Sequence, residues 1–170
     1  MNLDYMKGHY KGLTKVYFDW ISNKLIKMGD LENEKGLILD FGCGFGRLKK
    51  LLPNCNIVGY DIMPKFSEVD DYRDLKPTKI VFSSVLEHVS LKDIEKILKE
   101  FPKSELLVFL PTENIFSKIA MILSNQSHAH DDHISKYKDI NHLIEKSYDI
   151  KERKYLFFRM AQLTRYIAKP

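Results

Sequence analysis

Short apolar runs alternate along this chain with segments in which apolar residues recur at helical spacing. The runs predict strands at positions 37–41, 56–60, 79–83 and 105–110, followed by a final pair at 150–158 and 162–168. Helical spacing predicts helices over positions 13–28, 48–52, 94–101, 115–123 and 137–148. The run that ends at position 110 is almost wholly apolar, which is typical of a central strand in a parallel sheet. The pattern therefore predicts an α/β protein.

The first strand ends in a turn with three glycines at alternate positions, Gly42, Gly44 and Gly46. Because glycine has no Cβ atom, the backbone can turn sharply there, adopt positive φ angles and approach a bound ligand closely. The helix that follows ends before Pro53, which cannot continue it. This order of strand, turn and helix directs the start of the helix towards whatever the turn binds.

The spacing of the glycines separates two classes of nucleotide-type cofactor. A dinucleotide fold requires Gly-x-Gly-x-x-Gly, but here the third glycine comes one position early and Arg47 takes its place. The pattern is instead Asp-x-Gly-x-Gly-x-Gly, which begins at Asp40 and resembles the first motif of the class I S-adenosylmethionine-dependent methyltransferases. A carboxylate at Asp40 suits a ligand with an ammonium group and would repel a pyrophosphate. The alternative is a strand–helix turn that is glycine-rich for structural reasons only.

A second acidic residue, Asp61, follows the second strand, nineteen residues after Gly42. A carboxylate there can accept hydrogen bonds from both hydroxyls of a ribose. A helix cap or a surface turn is the alternative role. The resemblance implies S-adenosylmethionine as the cofactor, and it assigns the following residues to cofactor binding: Asp40, Gly42, Cys43, Gly44, Gly46, Asp61 and Ile62.

The segment before the strand at 79–83 is short and polar, so it has room only for a short edge strand around Glu68 and Val69. In the family that the chain resembles, an acid after this strand contacts the adenine amino group. Asp71 matches that acid-x-x-x-Leu pattern, and Asp70 is a close rival. The alternative is a solvated acidic turn.

The sequence Ser-Ser-Val-Leu-Glu-His-Val at positions 83–89 resembles the fourth motif of these methyltransferases. Its Leu-Glu-His-Val ending is typical of their small-molecule, type 11-like branch. Small polar residues at the end of a central strand leave space for a methyl group, and the resemblance assigns Ser83 and Ser84 to the cofactor. His88 is a candidate catalytic residue, and its alternative role is a helix-start residue that bonds to the backbone.

A histidine-rich segment at positions 127–137 precedes the last helix. His133 and Tyr137 match a pattern of the family, in which a histidine stands a few residues before an aromatic residue and a helix, so both are candidate catalytic residues. Three roles remain open for the histidines. They are a solvated capping loop, a general base or substrate contact near the methyl group, and a metal site from His128, His130, Asp131 and His133. The metal site has the least support, because the segment offers no further ligands.

The resemblance covers essentially the whole chain and implies a Rossmann-like, seven-stranded methyltransferase fold. The sheet would be mostly parallel, with an antiparallel last strand inserted beside the fifth and helices on both faces. We expect a single domain at 1–170, with an N-terminal helical cover at 1–35 and the sheet core at 36–170. The function implied is methyl transfer from S-adenosylmethionine to a small-molecule or envelope/lipid-type acceptor.

Two other functions are consistent with parts of this pattern. A nucleic-acid methyltransferase that acts on amino groups would carry an Asn/Asp-Pro-Pro-aromatic motif after the fourth strand, where this chain has Ser-Ser-Val-Leu. The chain also lacks a dense basic run, which argues against a nucleic-acid partner. A non-catalytic protein that keeps the cofactor site is the second alternative.

Composition adds little to this picture. The chain has 170 residues, 44% of them hydrophobic and 29% charged, as expected for one globular domain. Its mild net charge of +4 comes from lysines scattered along the chain rather than from one block, which is only weak support for an anionic partner. Cys43 and Cys55 lack metal-type spacing and predict reduced thiols in a cytoplasmic protein. We see no signal peptide and no membrane-spanning run. The resemblance implies a small-molecule substrate as the partner, and the oligomeric state is left open.

Overall fold

The computed structural model describes residues 12–112 and 134–170, and the chain forms two compact units, Met1–Val81 and Phe82–Pro170. The helices are α1 (Gly12–Gly29), α2 (Arg47–Leu51), α3 (Leu91–Glu100) and α4 (Tyr137–Glu145). The strands are β1 (Ile38–Phe41), β2 (Ile57–Tyr60), β3 (Lys79–Ser83), β4 (Glu105–Pro111), β5 (Tyr148–Leu156) and β6 (Ala161–Ala168). Short 3₁₀ turns lie at Leu31–Asn33, Tyr72–Asp74 and Leu86–His88.

In the first unit, β1 and β2 pair in parallel, with Ile38 opposite Ile57 and Phe41 opposite Tyr60. Every residue of β1 is buried, whereas β2 alternates between buried and half-buried positions. A strand that is covered on both faces is apolar throughout. Asp40 is the exception within β1, and its position at the end of the strand is where a polar group can serve a ligand.

Helix α1 buries one stripe of its surface, which includes Ile21, Leu25 and Met28. Arg47, the first residue of α2, forms an ion pair with Asp19 of α1 and joins the two helices. Val16 and Trp20 are 64% and 38% exposed, although both lie in the segment with helical spacing. The buried stripe is therefore narrower than the sequence pattern indicates.

In the second unit, Ser90 is the N-cap residue of α3. The Ser90 hydroxyl accepts a hydrogen bond from the Asp93 N–H at 3.2 Å and donates one to the Asp93 carboxylate at 2.7 Å. The buried face of α3 carries Ile94, Ile97 and Leu98, and α3 packs against α4.

Strand β6 pairs antiparallel with both β4 and β5, and the five residues at the centre of β4 are buried. A buried polar pair fixes the β5–β6 hairpin to α4. The side-chain amides of Asn141 and Gln162 exchange two hydrogen bonds, of 3.1 and 2.9 Å, and the Tyr166 hydroxyl donates to Asn141 Oδ1 at 2.8 Å. These polar groups are buried and partnered, so they hold the hairpin in one arrangement.

The strand order is β2-β1-β3-β4-β6-β5, which gives a mixed α/β sheet with an antiparallel final pair. The predicted insertion of the last strand beside the strand at 105–110 is confirmed, because β6 neighbours β4. The predicted count of seven strands is wrong for the residues that the structure describes, which form six. The segment around Glu68 and Val69 forms no strand. Instead, a single backbone hydrogen bond joins the Glu68 N–H to the Gly59 carbonyl at 2.9 Å.

Two predicted boundaries near the end of the chain shift. Helix α4 begins at Tyr137 and ends at Glu145, so Tyr148 opens β5 rather than completing the helix. The predicted helix at 115–123 lies outside the described residues. Within 12–112 and 134–170, each helix falls short of the length or the apolar character that crossing a bilayer demands.

Candidate functional site

The glycine turn after β1 adopts the backbone conformation that its composition predicts. Gly42, Gly44 and Gly46 have φ angles of 76°, 51° and 67°. The N–H groups of Gly42 and Cys43 both donate to the Tyr60 carbonyl at the end of β2, at 2.7 and 3.1 Å. A residue with a Cβ atom would be strained at each of the three glycines, so the turn depends on them.

Gly46 caps α2, and a Cβ atom added there would meet nothing within 4 Å. The glycine is thus required by its φ angle, and the space beside the turn is open. Helix α2 has only five residues. Because a helix dipole grows from aligned peptide units, a helix this short adds little to anion or ligand binding, and the geometry of the turn matters more.

Asp61 joins the glycine turn to the segment after β2. Its Oδ2 accepts a hydrogen bond from the Gly44 N–H at 3.0 Å, and its Oδ1 accepts one from the Met63 N–H at 2.9 Å. The side chain is only 7% exposed. Since each carboxylate oxygen has two lone pairs, both oxygens retain acceptor capacity for a hydroxyl group of a ligand.

Two hydrogen bonds through the Ser67 hydroxyl connect the Asp61 backbone to the backbone of Val69. The Asp61 N–H donates to Ser67 Oγ at 3.2 Å, and that hydroxyl donates to the Val69 carbonyl at 2.7 Å. Lys49 pairs with the Glu68 carboxylate at 2.7 Å. Ile62, by contrast, is 86% exposed, so an apolar side chain stands open directly beside the buried acid.

Asp40 is a buried acid in the same unit, 6% exposed and opposite Gly59 in the strand register. Burial raises the pKa of Asp40 to about 7, and repulsion from Asp61 and Glu68 adds to the shift. Glu68 already pairs with Lys49, so the two buried acids, Asp40 and Asp61, are the ones that favour the approach of a positive charge. The acid at the end of β1 thus suits a ligand with an ammonium group.

Cys43 lies with its side chain against the backbone of β2. A Cβ atom added to Gly59 would lie 2.8 Å from Cys43 Sγ, and the thiol is 3.3 Å from the Phe66 carbonyl. Burial raises the pKa of Cys43 to about 12. The thiol is therefore protonated and serves as packing. Cys43 and Cys55 are both free cysteines.

Asp71 accepts hydrogen bonds from the backbone N–H and the guanidinium of Arg73, at 2.9 Å and 2.5 Å. These hydrogen bonds lower the pKa of Asp71 to about 2. It caps the turn at Tyr72–Asp74, and Tyr72 packs against Phe41 and Tyr60 with ring centroids 5.0 and 4.7 Å apart. The carboxylate thus already has a local structural role.

In the second unit, the residues after β3 form a strained turn. Ser84 has a φ of 54°, which is uncommon for a residue with a side chain, and its N–H donates to the Phe109 carbonyl at 3.2 Å. Ser83 and His88 are both half-buried. Strain of this kind often occurs at functional sites.

Glu87 was not among the residues that the sequence singled out. It is 3% exposed, and among the described residues its Oε2 has no hydrogen-bond partner. Burial raises the pKa of Glu87 to about 8, and a hydrogen bond from Ser84 opposes part of that shift. The Glu87 carbonyl accepts hydrogen bonds from the N–H groups of Ile134 and Ser135, at 2.8 and 3.1 Å. The turn therefore holds the chain where it enters α4. The sequence signal for its burial is that an acidic residue directly follows the apolar residues Val85 and Leu86.

Only some of the predicted catalytic residues lie in the part of the chain that the structure describes. Tyr137 is half-buried and is the first residue of α4. His133 lies outside the described residues, as do His128, His130 and Asp131. Among the residues that are described, no group of three or more His, Cys, Asp or Glu side chains could hold a metal ion.

Comparisons with known proteins identify the fold. No protein-family model matches the sequence, and no curated protein sequence matches it. The PH0226 protein of Pyrococcus horikoshii OT3 is similar with a TM-score of 0.71 and 14% identity, over 99% of this chain and 100% of its own. The magnesium protoporphyrin IX methyltransferase of Synechocystis PCC 6803, solved with bound SAH, has a TM-score of 0.61 and 17% identity, over 89% of this chain and 81% of its own.

The small RNA methyltransferase HEN1 is also similar, with a TM-score of 0.66 and 18% identity. The match covers 88% of this chain but only 25% of that protein. Identities this low establish the fold and leave the chemistry to be argued from the residues. The chain has the Rossmann-like fold of the S-adenosylmethionine-dependent methyltransferases.

Proposed function

We propose that this protein is a methyltransferase that uses S-adenosylmethionine. The observation that carries the proposal is the position of Asp61, whose carboxylate accepts hydrogen bonds from Gly44 in the glycine turn and from Met63 beyond β2. This arrangement holds an acid with spare acceptor capacity beside a turn that only glycine can form. The fold, shared with a methyltransferase solved with bound SAH, supports the same conclusion.

The residues of the first unit fit the chemical groups of this cofactor. Asp61 would accept the ribose hydroxyls. Asp40 would bind the ammonium group, because its buried carboxyl lies near other acids and gains from a nearby cation. Ile62 would offer its exposed apolar side chain to the adenine ring, and the open space beside Gly46 leaves room for the ligand.

Gly42 and Cys43 would contact the cofactor differently from a typical glycine loop. Their N–H groups are already bound to the Tyr60 carbonyl, so they would present backbone surface rather than free donors. Asp71 is the proposed acceptor for the adenine amino group. Its oxygens would use lone pairs beyond those that Arg73 occupies.

When bound, S-adenosylmethionine supplies a methyl group that its sulfonium already activates. The protein then contributes mainly proximity and alignment. Ser83 and Ser84 are also proposed as cofactor contacts, on the resemblance of positions 83–89 to the fourth motif of these methyltransferases. The hydrogen bond from the Ser84 N–H to the Phe109 carbonyl helps to hold this turn in its strained conformation.

For the acceptor, we propose a small molecule or an envelope/lipid-type compound. His88 and Tyr137 are the described candidates for orienting it, and His133 completes the set from the sequence pattern. An imidazole can accept a proton near neutral pH, which an acceptor hydroxyl or amine must lose during transfer. A nucleic-acid acceptor is the second candidate, and the similarity to HEN1 is the observation in its favour.

The proposal is tested by incubating the full chain with methyl-labelled S-adenosylmethionine and separate metabolite, lipid and nucleic-acid extracts. We expect label in the metabolite or lipid fraction. The Gly44→Val variant is the matched control, because a side chain at that positive φ should block cofactor binding. Label in no fraction, or equal labelling by the variant, would overturn the proposal. Label in the nucleic-acid fraction alone would keep the enzyme class and replace the acceptor.

A further inference from the structure

Lysines are scattered along the whole chain, but the surplus of basic over acidic residues falls in residues 148–170. Residues 148–170, which contain the β5–β6 hairpin, hold six Lys or Arg residues and two Asp or Glu residues. This surplus of four equals the net charge of +4 for the whole chain, so the remaining residues are balanced. The hairpin is therefore the cationic part of an otherwise neutral protein, and it favours an anionic partner.

The tip of the hairpin exposes two adjacent aromatic side chains. Phe158 is 80% exposed and Phe157 is 44% exposed, and Tyr155 beside them is 41% exposed. The guanidinium of Arg159 lies over the Tyr155 ring, 4.4 Å from its centroid. Aromatic rings next to a cation are characteristic of residues that sit at the boundary between lipid headgroups and acyl chains.

The turn that carries these side chains has an unusual backbone. Phe157, Phe158 and Arg159 have φ angles of 48°, 51° and 66°, a conformation that glycine and asparagine normally supply in turns. Two large aromatic residues occupy these positions despite the strain. Such strain persists only where the surrounding structure enforces it.

Hydrogen bonds fix this turn to the end of β4. The Met160 N–H donates to the Phe157 carbonyl at 2.9 Å, and the Thr112 N–H donates to the Met160 carbonyl at 2.8 Å. The Thr112 hydroxyl also donates to the Arg159 carbonyl. The exposed rings therefore lie on a turn that hydrogen bonds hold in one conformation. Such ordering before binding lowers the conformational entropy that is lost on binding.

Two basic residues of the hairpin can attract an anionic partner. Arg153, Lys154 and Arg165 pair with glutamates. Lys151 is exposed, and with Arg159 it has no ion pair to another described residue. These two cations lie on the strand and the turn that carry the exposed aromatic residues.

We propose that the tip of the β5–β6 hairpin is a membrane-surface contact for bilayers that contain anionic lipids. Phe157 and Phe158 enter the interfacial layer, and Lys151 and Arg159 attract the anionic headgroups. A pair of adjacent apolar rings favours a lipid surface over a nucleic acid, because a single-strand site spaces its aromatic rings along a basic groove. This contact does not depend on the proposed methyl transfer.

The test uses the full chain and two kinds of vesicle, phosphatidylcholine alone and equal parts of phosphatidylcholine and phosphatidylglycerol. In flotation assays, we expect binding to the anionic vesicles that weakens with added salt. Replacing both rings, Phe157→Ser with Phe158→Ser, should weaken binding by about tenfold or more. Val16→Ser is the matched control, since Val16 is 64% exposed on α1 and should not matter.

A second variant, Lys151→Gln, tests the proposal independently if the double variant does not fold. It changes only an exposed side chain on β5, so it should fold normally. It should weaken binding to anionic vesicles and leave the thermal unfolding midpoint unchanged. Three results would overturn the proposal. They are no binding of the unmodified chain to anionic vesicles, equal binding by a folded double variant, or binding to a single-stranded oligonucleotide with the vesicles ignored.

Discussion

Replacing Glu87 with glutamine should change how the stability of the protein responds to pH. Glu87 is buried, and its pKa is raised from 4.5 to about 8. Between these two values the folded protein holds a proton that the unfolded chain has released. The stabilisation linked to this proton is complete below the unfolded pKa and is lost as pH rises through about 8.

The size of the effect follows from the change in pKa. Each pKa unit corresponds to about 1.4 kcal/mol, so the rise from 4.5 to about 8 at Glu87 implies a loss of about 5 kcal/mol over that pH range as an order of magnitude. Asp40 has the same sign, with a pKa of about 7. The Glu87→Gln variant should therefore keep the part of the pH dependence that Asp40 causes and lose the rest.

Urea unfolding followed by circular dichroism at a series of pH values measures this difference. Glutamine retains the shape of the side chain and an oxygen that can accept the hydrogen bond from Ser84. Glu95→Gln is the matched control, because Glu95 is exposed on α3 and its pKa is lowered by Lys99. If Glu87→Gln and the unmodified protein lose stability in parallel, Glu87 is ionised in the folded state and the reasoning fails.

Three further predictions concern the candidate site. Gly59→Ala should destabilise the protein more than Gly46→Ala. The new Cβ at position 59 would lie 2.8 Å from Cys43 Sγ, whereas a Cβ at position 46 would meet nothing within 4 Å and the substitution would cost only about 1–2 kcal/mol for the positive φ angle. Thermal unfolding measures both variants, and the reverse order would refute the prediction. Affinity for S-adenosylmethionine should be about tenfold lower near pH 6 than near pH 8, because an ammonium group prefers ionised Asp40, whose pKa is about 7; a flat calorimetric profile would contradict this. His133→Ala should slow methyl transfer by roughly 10²-fold, the scale for a lost general base, with cofactor affinity unchanged; intact turnover would make the histidine segment a connector.

The glycine turn and Asp61 were predictable because both depend on short-range rules. Three glycines with positive φ angles and an acid at the end of the next parallel strand are set by spacing along two neighbouring strands. The hydrogen bond from Gly44 to Asp61 then follows from their adjacency. The insertion of β6 beside β4 came instead from the resemblance to a known family.

The remaining features depend on packing that the local pattern does not encode. Glu87 is buried in a turn whose backbone binds Ile134 and Ser135, which are far along the chain. Where a strand was expected near Glu68, the segment makes one backbone hydrogen bond to Gly59 and an ion pair with Lys49. Apolar side chains such as Phe158 stay exposed because the turn that carries them is held outward, which hydrophobicity alone would not predict.

Calorimetric titration with S-adenosylhomocysteine tests the central claim most directly. The account predicts saturable binding that NAD does not displace. It also predicts that Asp61→Ala weakens binding by about tenfold or more, the scale of hydrogen bonds to a charged group, while Asp74→Asn, which alters an exposed acid of the same unit, has no effect. Saturable binding of NAD with no response to S-adenosylhomocysteine or S-adenosylmethionine would contradict the account.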